Sequence, residues 1–576
     1  MREVLKDKEM KSMHMDVYPH KGQYRPKDEI LINIEVEGLK NKESLCYEMQ
    51  IFDLEKCIWS KTEEISNETQ QFQVACGNEV NQIGTYGVDV KILEEGSLVD
   101  QSSTAFDIVT SWEDAPRYGF LSDFYEKDEE DSNDVKQMNK YHISAVQFYD
   151  WMYRHDDLIP PTDVFEDVLG RKLSLKAVRH KIDLCHQHGM KAVAYGAIYA
   201  SSKEFFRTHQ EWGFYNKKSE AIEFANLFYI MDISEESPWV GHIKGEFKKA
   251  INLLDFDGIH MDTYGFPKTA FSHEGTHIKR LNELYPKFID TVYEDLIHEK
   301  EEVSLFFNAV SNWGIEDISK SKLNVAYIEV WDPQEKYIHL YQLINRGKEL
   351  GHKNVVLAAY LESFHPTKPR DKEKEMNTFC LASATIFASG GFHLLLGEDN
   401  GVLADPYYVN YGQAQDKNAE GILRSYYDFF VRYSKLLNQL EGRDCSMTHA
   451  GGVNDEIHLA NSKFSSYGEA GKVWTIYKEL KGYHVLHLIN LIGQEDEKWN
   501  TLKASPIIQK DIEISILVDE TVQGVYLASP DYVNAKAQSL AYKVIEKERG
   551  HYIQIKVPEL HYWSMIYMVT SEGNVL

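Results

Sequence analysis

Up to about residue 110 the chain alternates apolar and polar positions in short runs. Glu29–Glu37 and Tyr86–Leu93 each carry their apolar side chains on one face, and Phe106–Val109 closes the series. Period-two alternation between polar turns predicts the strands of a small β-sandwich. From Arg117 the rhythm changes. Short apolar runs now alternate with segments whose apolar residues recur every three to four positions. That is the pattern of a parallel sheet covered by helices. Eight strands are expected: Arg117–Phe124, Ile143–Trp151, Lys191–Tyr199, Phe256–Gly265, Ser304–Val310, Val325–Trp331, Asn354–Leu361 and Gly391–Glu398. Helices are expected over Lys172–His188, Trp239–Leu254, His277–His298, Tyr337–Leu350, Lys374–Ala388 and Ile422–Leu440. Eight strand–helix units predict a (β/α)8 TIM barrel with enlarged loops. A doubly wound open sheet is the alternative, and it would lack a polar residue at nearly every strand end. Beyond about residue 440 the helical period stops. Val473–Tyr477, Tyr483–Leu491, Ile512–Leu517, Gln523–Leu527, Tyr552–Val557 and Trp563–Met568 are expected strands. The predicted architecture is multidomain: an N-terminal immunoglobulin-like β-sandwich over 1–112, a catalytic (β/α)8 barrel over 113–440 and a C-terminal β-sandwich over 441–576.

Charge narrows the partners. With 62 Lys and Arg against 90 Asp and Glu, the 576-residue chain carries −28. Phosphate binding needs a basic face, so neither nucleic acid nor an anionic membrane is expected as a partner. No apolar run approaches the roughly 18 residues of a membrane helix. The charged start Met1–Glu9 does not resemble a signal peptide. A cytoplasmic protein is expected if the chain is full-length, and a secreted one if a signal has been trimmed. The six cysteines form no C-x-x-C pair, which argues against a zinc or redox motif. The acidic run Glu126–Asp134 reads as a solvated loop. Aromatic residues make up 12% of the chain, with 35 Tyr. Rings stack on sugars, but they also fill cores.

The strand ends carry the chemistry. In Asp255–Gly265, Phe256, Ile259 and Met261 build a buried strand that stops at Gly265 and Pro267. Alternation points His260 and Asp262 the same way. An ionisable side chain there is costly unless it acts, and the C-terminal strand ends of a barrel hold its catalytic groups. The other strands end in Asp123, in Asp150, Trp151, Tyr153 and His155, in Tyr195, in Asn308, in Glu329 and Trp331, and in Glu398. A single strand-end Asp often just caps a turn. The joint set of Asp150, Asp262, Asn308, Glu329 and Glu398 is hard to explain as capping. No Cys/His cluster and no glycine-rich phosphate loop accompanies it, so neither a metal nor a cofactor is expected. Two carboxylates beside aromatic rings suit glycoside hydrolysis. Asp262 and Glu329, on the fourth and sixth strands, face each other across the barrel mouth. For His155 and His393 a structural role is the favoured reading, and Trp151, Tyr153 and Trp331 are as readily core as platform.

Six stretches resemble glycoside hydrolase family 66, the dextranases and cyclodextran-forming glucanotransferases. They are Tyr118–Phe124, Gln147–His155, Asp257–Gly265, Phe307–Val310, Glu329–Trp331 and His393–Glu398. They stand in family order along the whole barrel, and the second is the most specific. The resemblance implies Asp262 as nucleophile and Glu329 as general acid/base. It implies, more loosely, that Asp150, Tyr153, His155 and Asn308 line sugar subsites. The implied reaction is endo-hydrolysis of an α-1,6-glucan or isomalto-oligosaccharide with retention, which calls for a raised pKa at Glu329. Cyclising members of the family carry an inserted carbohydrate-binding module. The compact barrel here favours a dextranase. A transglycosylase, a catalytically silent sugar-binding barrel and an exo-acting α-glycosidase are the competing readings.

Overall fold

The computed structural model describes residues 14–571, apart from 39–43, 67, 78 and 549. Its centre is an eight-stranded parallel sheet. The strands are β1 (Tyr118–Leu121), β2 (Ala145–Phe148), β3 (Lys191–Ala197), β4 (Gly258–Asp262), β5 (Ser304–Val310), β6 (Ala326–Glu329), β7 (Val355–Ala358) and β8 (Phe392–His393). Each pairs with its sequence neighbours, and a bridge between Phe120 and Gly397 brings the segment after β8 against β1. The sheet thus curls into a barrel. Its helices are α1 (Asn133–Lys140), α2 (Leu175–Gln187), α3 (Pro238–Leu254), α4 (Leu281–Leu296), α5 (Ile315–Ile318), α6 (Tyr337–Gly351), α7 (Lys372–Ala388) and α8 (Lys417–Arg432). Nearly every strand position is buried, which is why the strands appear in sequence as unbroken apolar runs. Among the described residues no helix is long and apolar enough to cross a membrane.

The barrel is plugged by aromatic side chains. Tyr118 stacks on Phe306 at 4.0 Å, and its hydroxyl meets His260 Nδ1 at 3.1 Å. Tyr327 stands edge-on to His260. One layer higher Tyr149 stacks on Tyr408 at 4.3 Å. Much of the tyrosine content is therefore spent inside the barrel.

Local geometry explains one glycine. Gly258 lies opposite Ser304 in the β4–β5 ladder. A Cβ there would stand 1.8 Å from the Ser304 carbonyl oxygen. Only backbone could give way, so Gly258→Ala is expected to cost ~3 kcal/mol or more, as overpacking does. Chemical denaturation of the variant checks it, and an unchanged midpoint would refute it.

Seven strands in two antiparallel sheets form the N-terminal sandwich, of three strands (His14–Pro19, Leu31–Glu37, Gln71–Ala75) and of four (Leu45–Asp53, Lys56–Glu64, Gly84–Glu94, Ser97–Ile108). The C-terminal sandwich packs a seven-stranded sheet on a four-stranded one. Its strands include Val473–Leu480, Tyr483–Asn490, Gln509–Leu517, Val522–Ala528, Gly550–Leu560 and Trp563–Thr570. Helix α8 joins all three units. Its Arg432 donates to Asp89 Oδ1 at 2.7 Å and its Asp428 accepts from Thr104. Its Tyr426 hydroxyl donates to Asp531, and Phe429 meets Trp563 edge-on. Below the barrel, Arg117 forms a buried two-pronged pair with Asp107 at 2.7 and 2.8 Å.

Three local expectations are corrected. Lys172–Ser174 is a strand, and α2 starts at Leu175 with the Ser174 hydroxyl accepting from Ala177 N. The last helix starts at Lys417, capped by Asp416, and ends at Arg432, not at Leu440. Its first turn is polar and hides the period. The acidic run is not simply solvated. It leads into α1, and Asp128 and Asp134 are buried, with Lys181 Nζ on Asp134 at 2.7 Å.

Candidate active site

Five neighbouring strands deliver one hydrogen-bonded group. The parallel register sets Ala197 beside Asp262, Asn308 beside Tyr327 and Val310 beside Glu329. Inward positions therefore rise together at the C-terminal mouth. The Tyr195 hydroxyl donates to Asp262 Oδ2 at 2.6 Å. Asn308 Nδ2 donates to Asp262 Oδ1 at 2.8 Å and to Glu329 Oε2 at 3.0 Å. Tyr360, just past β7, donates its hydroxyl to Glu329 Oε1 at 2.8 Å. The two hydrogens of a planar amide diverge, so the accepting oxygens stand about 5 Å apart. That is close to the separation of about 5–5.5 Å characteristic of retaining glycosidases.

Burial and the Glu329 carboxylate push Asp262 up to about 7, against the hydrogen bonds from Tyr195, Asn308 and the Thr263 backbone. Asp262 is thus a raised carboxyl at the mouth. The three donors favour the charged form of Asp262, the form that can attack an anomeric carbon.

Asp150 flanks the pair in the left-handed region, at φ 47°. The chain is pinned there by Arg171, whose Nη2 donates to the Asp150 carbonyl at 2.7 Å while its Nε donates to Asp167 Oδ2. Burial pushes Asp150 up to about 7, and the nearby Arg171 opposes this. Among the described residues nothing donates to its carboxylate, which leaves it open to a ligand hydroxyl. His155 Nδ1 is buried without a partner, and burial lowers that imidazole to about 4, so it is neutral at pH 7. Asn308 Oδ1 is likewise buried and unpaired. Tyr153 is half-buried, with the Arg154 guanidinium 4.0 Å from its ring centre. Trp331 is 41% exposed and lies 6.3 Å from Tyr360, edge to face, so it offers a ring to the mouth.

Other expected residues turn inward. Trp151 is fully buried, donates to the Tyr195 carbonyl and packs on Phe256, so it is core and not a platform. Glu398 is fully buried, and its Oε1 accepts from Ser122 N, Ser122 Oγ and Asp123 N. Burial pushes it up to about 8 despite Lys181 at 3.6 Å. It ties β1 to the segment after β8, so its carboxylate is not available to a ligand. Asp123 is half-buried and accepts from Tyr411 at the rim. His393 Nε2 donates to the Ala359 carbonyl at 2.9 Å and is structural. Sequence reasoning missed Tyr360 and Arg171. The only signal for Tyr360 was its place after the apolar run of β7, the strand end where no acid or amide drew notice.

The chain is 25% identical over 701 residues to a cycloisomaltooligosaccharide glucanotransferase of Niallia circulans, covering 96% of this chain and 71% of the relative. That span exceeds this chain's length, so the relative carries stretches that this chain lacks. A dextranase of Streptococcus salivarius is 23% identical, over 82% of this chain and 66% of its own. Among solved structures, a Paenibacillus cycloisomaltooligosaccharide glucanotransferase complexed with cycloisomaltoheptaose superposes with a TM-score of 0.87 at 22% identity, covering 96% of this chain and 99% of that one. The model of glycosyl hydrolase family 66 matches residues 19–567, nearly the whole chain, and the protein belongs to that family.

Proposed function

We propose that the protein hydrolyses internal α-1,6-glucosidic linkages of dextran or isomalto-oligosaccharides with retention of configuration. The observation that carries this reading is the single amide of Asn308 shared by Asp262 and Glu329. It sets the carboxyls too close for a water to stand between them and the sugar, and close enough for a covalent glycosyl-enzyme. Asp262 attacks the anomeric carbon while Glu329 gives its proton to the leaving O6. Glu329 then takes a proton from the water that releases the sugar from Asp262. Asp150, His155 and Trp331 hold the chain on either side.

Hydrolysis is favoured over cyclisation. A cyclising enzyme must exclude water and hold a long acceptor chain over the same intermediate. The glucanotransferase of Niallia circulans carries stretches absent here. The test is dextran digestion with products separated beside linear and cyclic isomalto-oligosaccharide standards. Linear products with retained anomeric configuration are expected. Cyclic products would move the protein to the transferase branch, and inversion would overturn the assignment of Asp262.

A further inference from the structure

A second constellation lies in the C-terminal sandwich, on neither face of the barrel mouth. Cys445 is buried and opens a single turn, Ser446–His449. The His449 amide donates to the Cys445 carbonyl at 3.0 Å. This four-residue spacing sets both side chains on one face. The strand Val473–Leu480 runs alongside, with Glu479 directly opposite Arg443. The Cys445 Sγ, a ring nitrogen of His449 and a Glu479 oxygen all fall within 4.8 Å of one another. His449 Nε2 and Glu479 Oε1 are 3.6 Å apart. Two ligands at ~2.0–2.1 Å from a tetrahedral zinc are separated by about 3.3 Å.

The imidazole is already oriented. Its Nδ1 lies 2.8 Å from Thr448 Oγ1, whose own proton goes to the Cys445 carbonyl, so Nδ1–H can donate there and leave the Nε2 lone pair to face Glu479 and the thiol. Metal-binding histidines are held this way through their other nitrogen. The ion pair of Arg443 uses Glu479 Oε2, at 3.4 Å, and leaves Oε1 free. Sulfur, imidazole and carboxylate together suit a borderline divalent ion. Burial and Glu479 push the thiol up to about 12, so without a cation it is protonated and unreactive.

We propose that Cys445, His449 and Glu479 form a zinc site, with water in the fourth position, that pins the turn 445–449 to the strand Val473–Leu480. On binding, the Cys445 thiol gives its proton to solvent as the Zn–S bond forms, so affinity rises with pH. The site is remote from Asp262 and Glu329, and its loss leaves the barrel chemistry in place.

The test uses the full chain, stripped with EDTA and titrated with Zn2+ against a competing chromophoric chelator. Co2+ serves as a spectroscopic stand-in. One ion per chain is expected, with a sulfur-to-cobalt charge-transfer band. Zinc should raise the thermal midpoint of the wild type. Cys445→Ser and His449→Gln should each bind about 100-fold more weakly or worse. Glu479→Gln, at a partly exposed position, should weaken binding but keep the sulfur band, which guards against a variant that merely fails to fold. Equal zinc affinity in wild type and Cys445→Ser, no binding by wild type, or a cobalt spectrum without the sulfur band would each overturn the site.

Discussion

Asp262→Asn is expected to lower kcat on dextran by about 10,000-fold or more, ~5.5 kcal/mol of transition-state stabilisation, while folding at least as stably as the wild type. An amide has no lone pair of sufficient basicity to form the glycosyl-enzyme, so the first displacement is lost outright. The loss should fall on kcat, with KM little changed, because the side chains proposed to hold the sugar, Asp150, His155 and Trp331, are untouched. Stability should move the other way. Asp262 is held up to about 7 by burial and by Glu329. A carboxyl whose folded pKa lies above its unfolded value binds more protons in the folded state. It therefore loses stability as pH rises from about 4 to about 7, and the cost is constant above that. Asparagine removes the charge and keeps the shape. The thermal midpoint of the variant should match the wild type near pH 4 and exceed it at pH 8. Thermal scans at both pH values, run beside the kinetics, separate a lost nucleophile from a damaged fold. A variant that is inactive and also less stable at pH 8 would count against both the role and the electrostatic account.

The barrel was legible because each strand is buried on both faces and each helix repeats at its own period. Val-Val-Leu-Ala over Val355–Ala358 admits little else between the amphipathic helix Tyr337–Gly351 and the largely buried helix Lys372–Ala388. Polar groups at the strand ends then marked the mouth, and Asp262, Asn308 and Glu329 came together there. What failed was the sign of burial. Trp151, Glu398 and Asp262 all follow apolar runs at strand ends, yet one is core, one is a brace and one faces the mouth. The difference is set by neighbours distant in sequence: Phe256 under Trp151, and the backbone of Ser122 and Asp123 around Glu398. Helix α1 was lost for a related reason. It shows only Val135 and Met138 to the core, and its buried acid Asp134 is balanced by Lys181 from α2. The Cys445, His449 and Glu479 cluster escaped because its ligands sit on a one-turn helix and a strand 30 residues further on. No fixed spacing announces such a group.

Glu329→Gln should lose about 1,000-fold in kcat on dextran, inside the range of about 100- to 10,000-fold for general acid–base catalysis. The size of the loss should depend on the leaving group. Glucosyl O6 is a poor leaving group and needs the proton. An activated aryl isomaltoside does not, so its first step should be nearly normal in the variant. Its second step still lacks a base for water, and the glycosyl-enzyme should accumulate as a burst. Azide needs no base and should restore turnover, with the azide added on the face from which water attacks in the wild type. The pH profile carries the same logic. In the wild type kcat/KM should fall on the acid side near pH 7, where Asp262 takes up a proton and can no longer attack. Glutamine removes the like charge beside Asp262 and leaves that limb in the variant's rate on the activated substrate. The remaining acid limb should shift below 7, because Asp262 no longer faces a carboxylate while Tyr195 and Asn308 still donate to it. Azide without effect would mean that Glu329 does not handle the proton. Tyr360 holds Glu329 in place through one hydrogen bond of 2.8 Å, so the acid sits on a rigid strand end and is steadied from the next strand. The nucleophile is steadied in the same way by Tyr195 from β3. Tyrosines on the two outer strands and one asparagine between them thus fix both carboxylates, and the chemistry follows from that spacing.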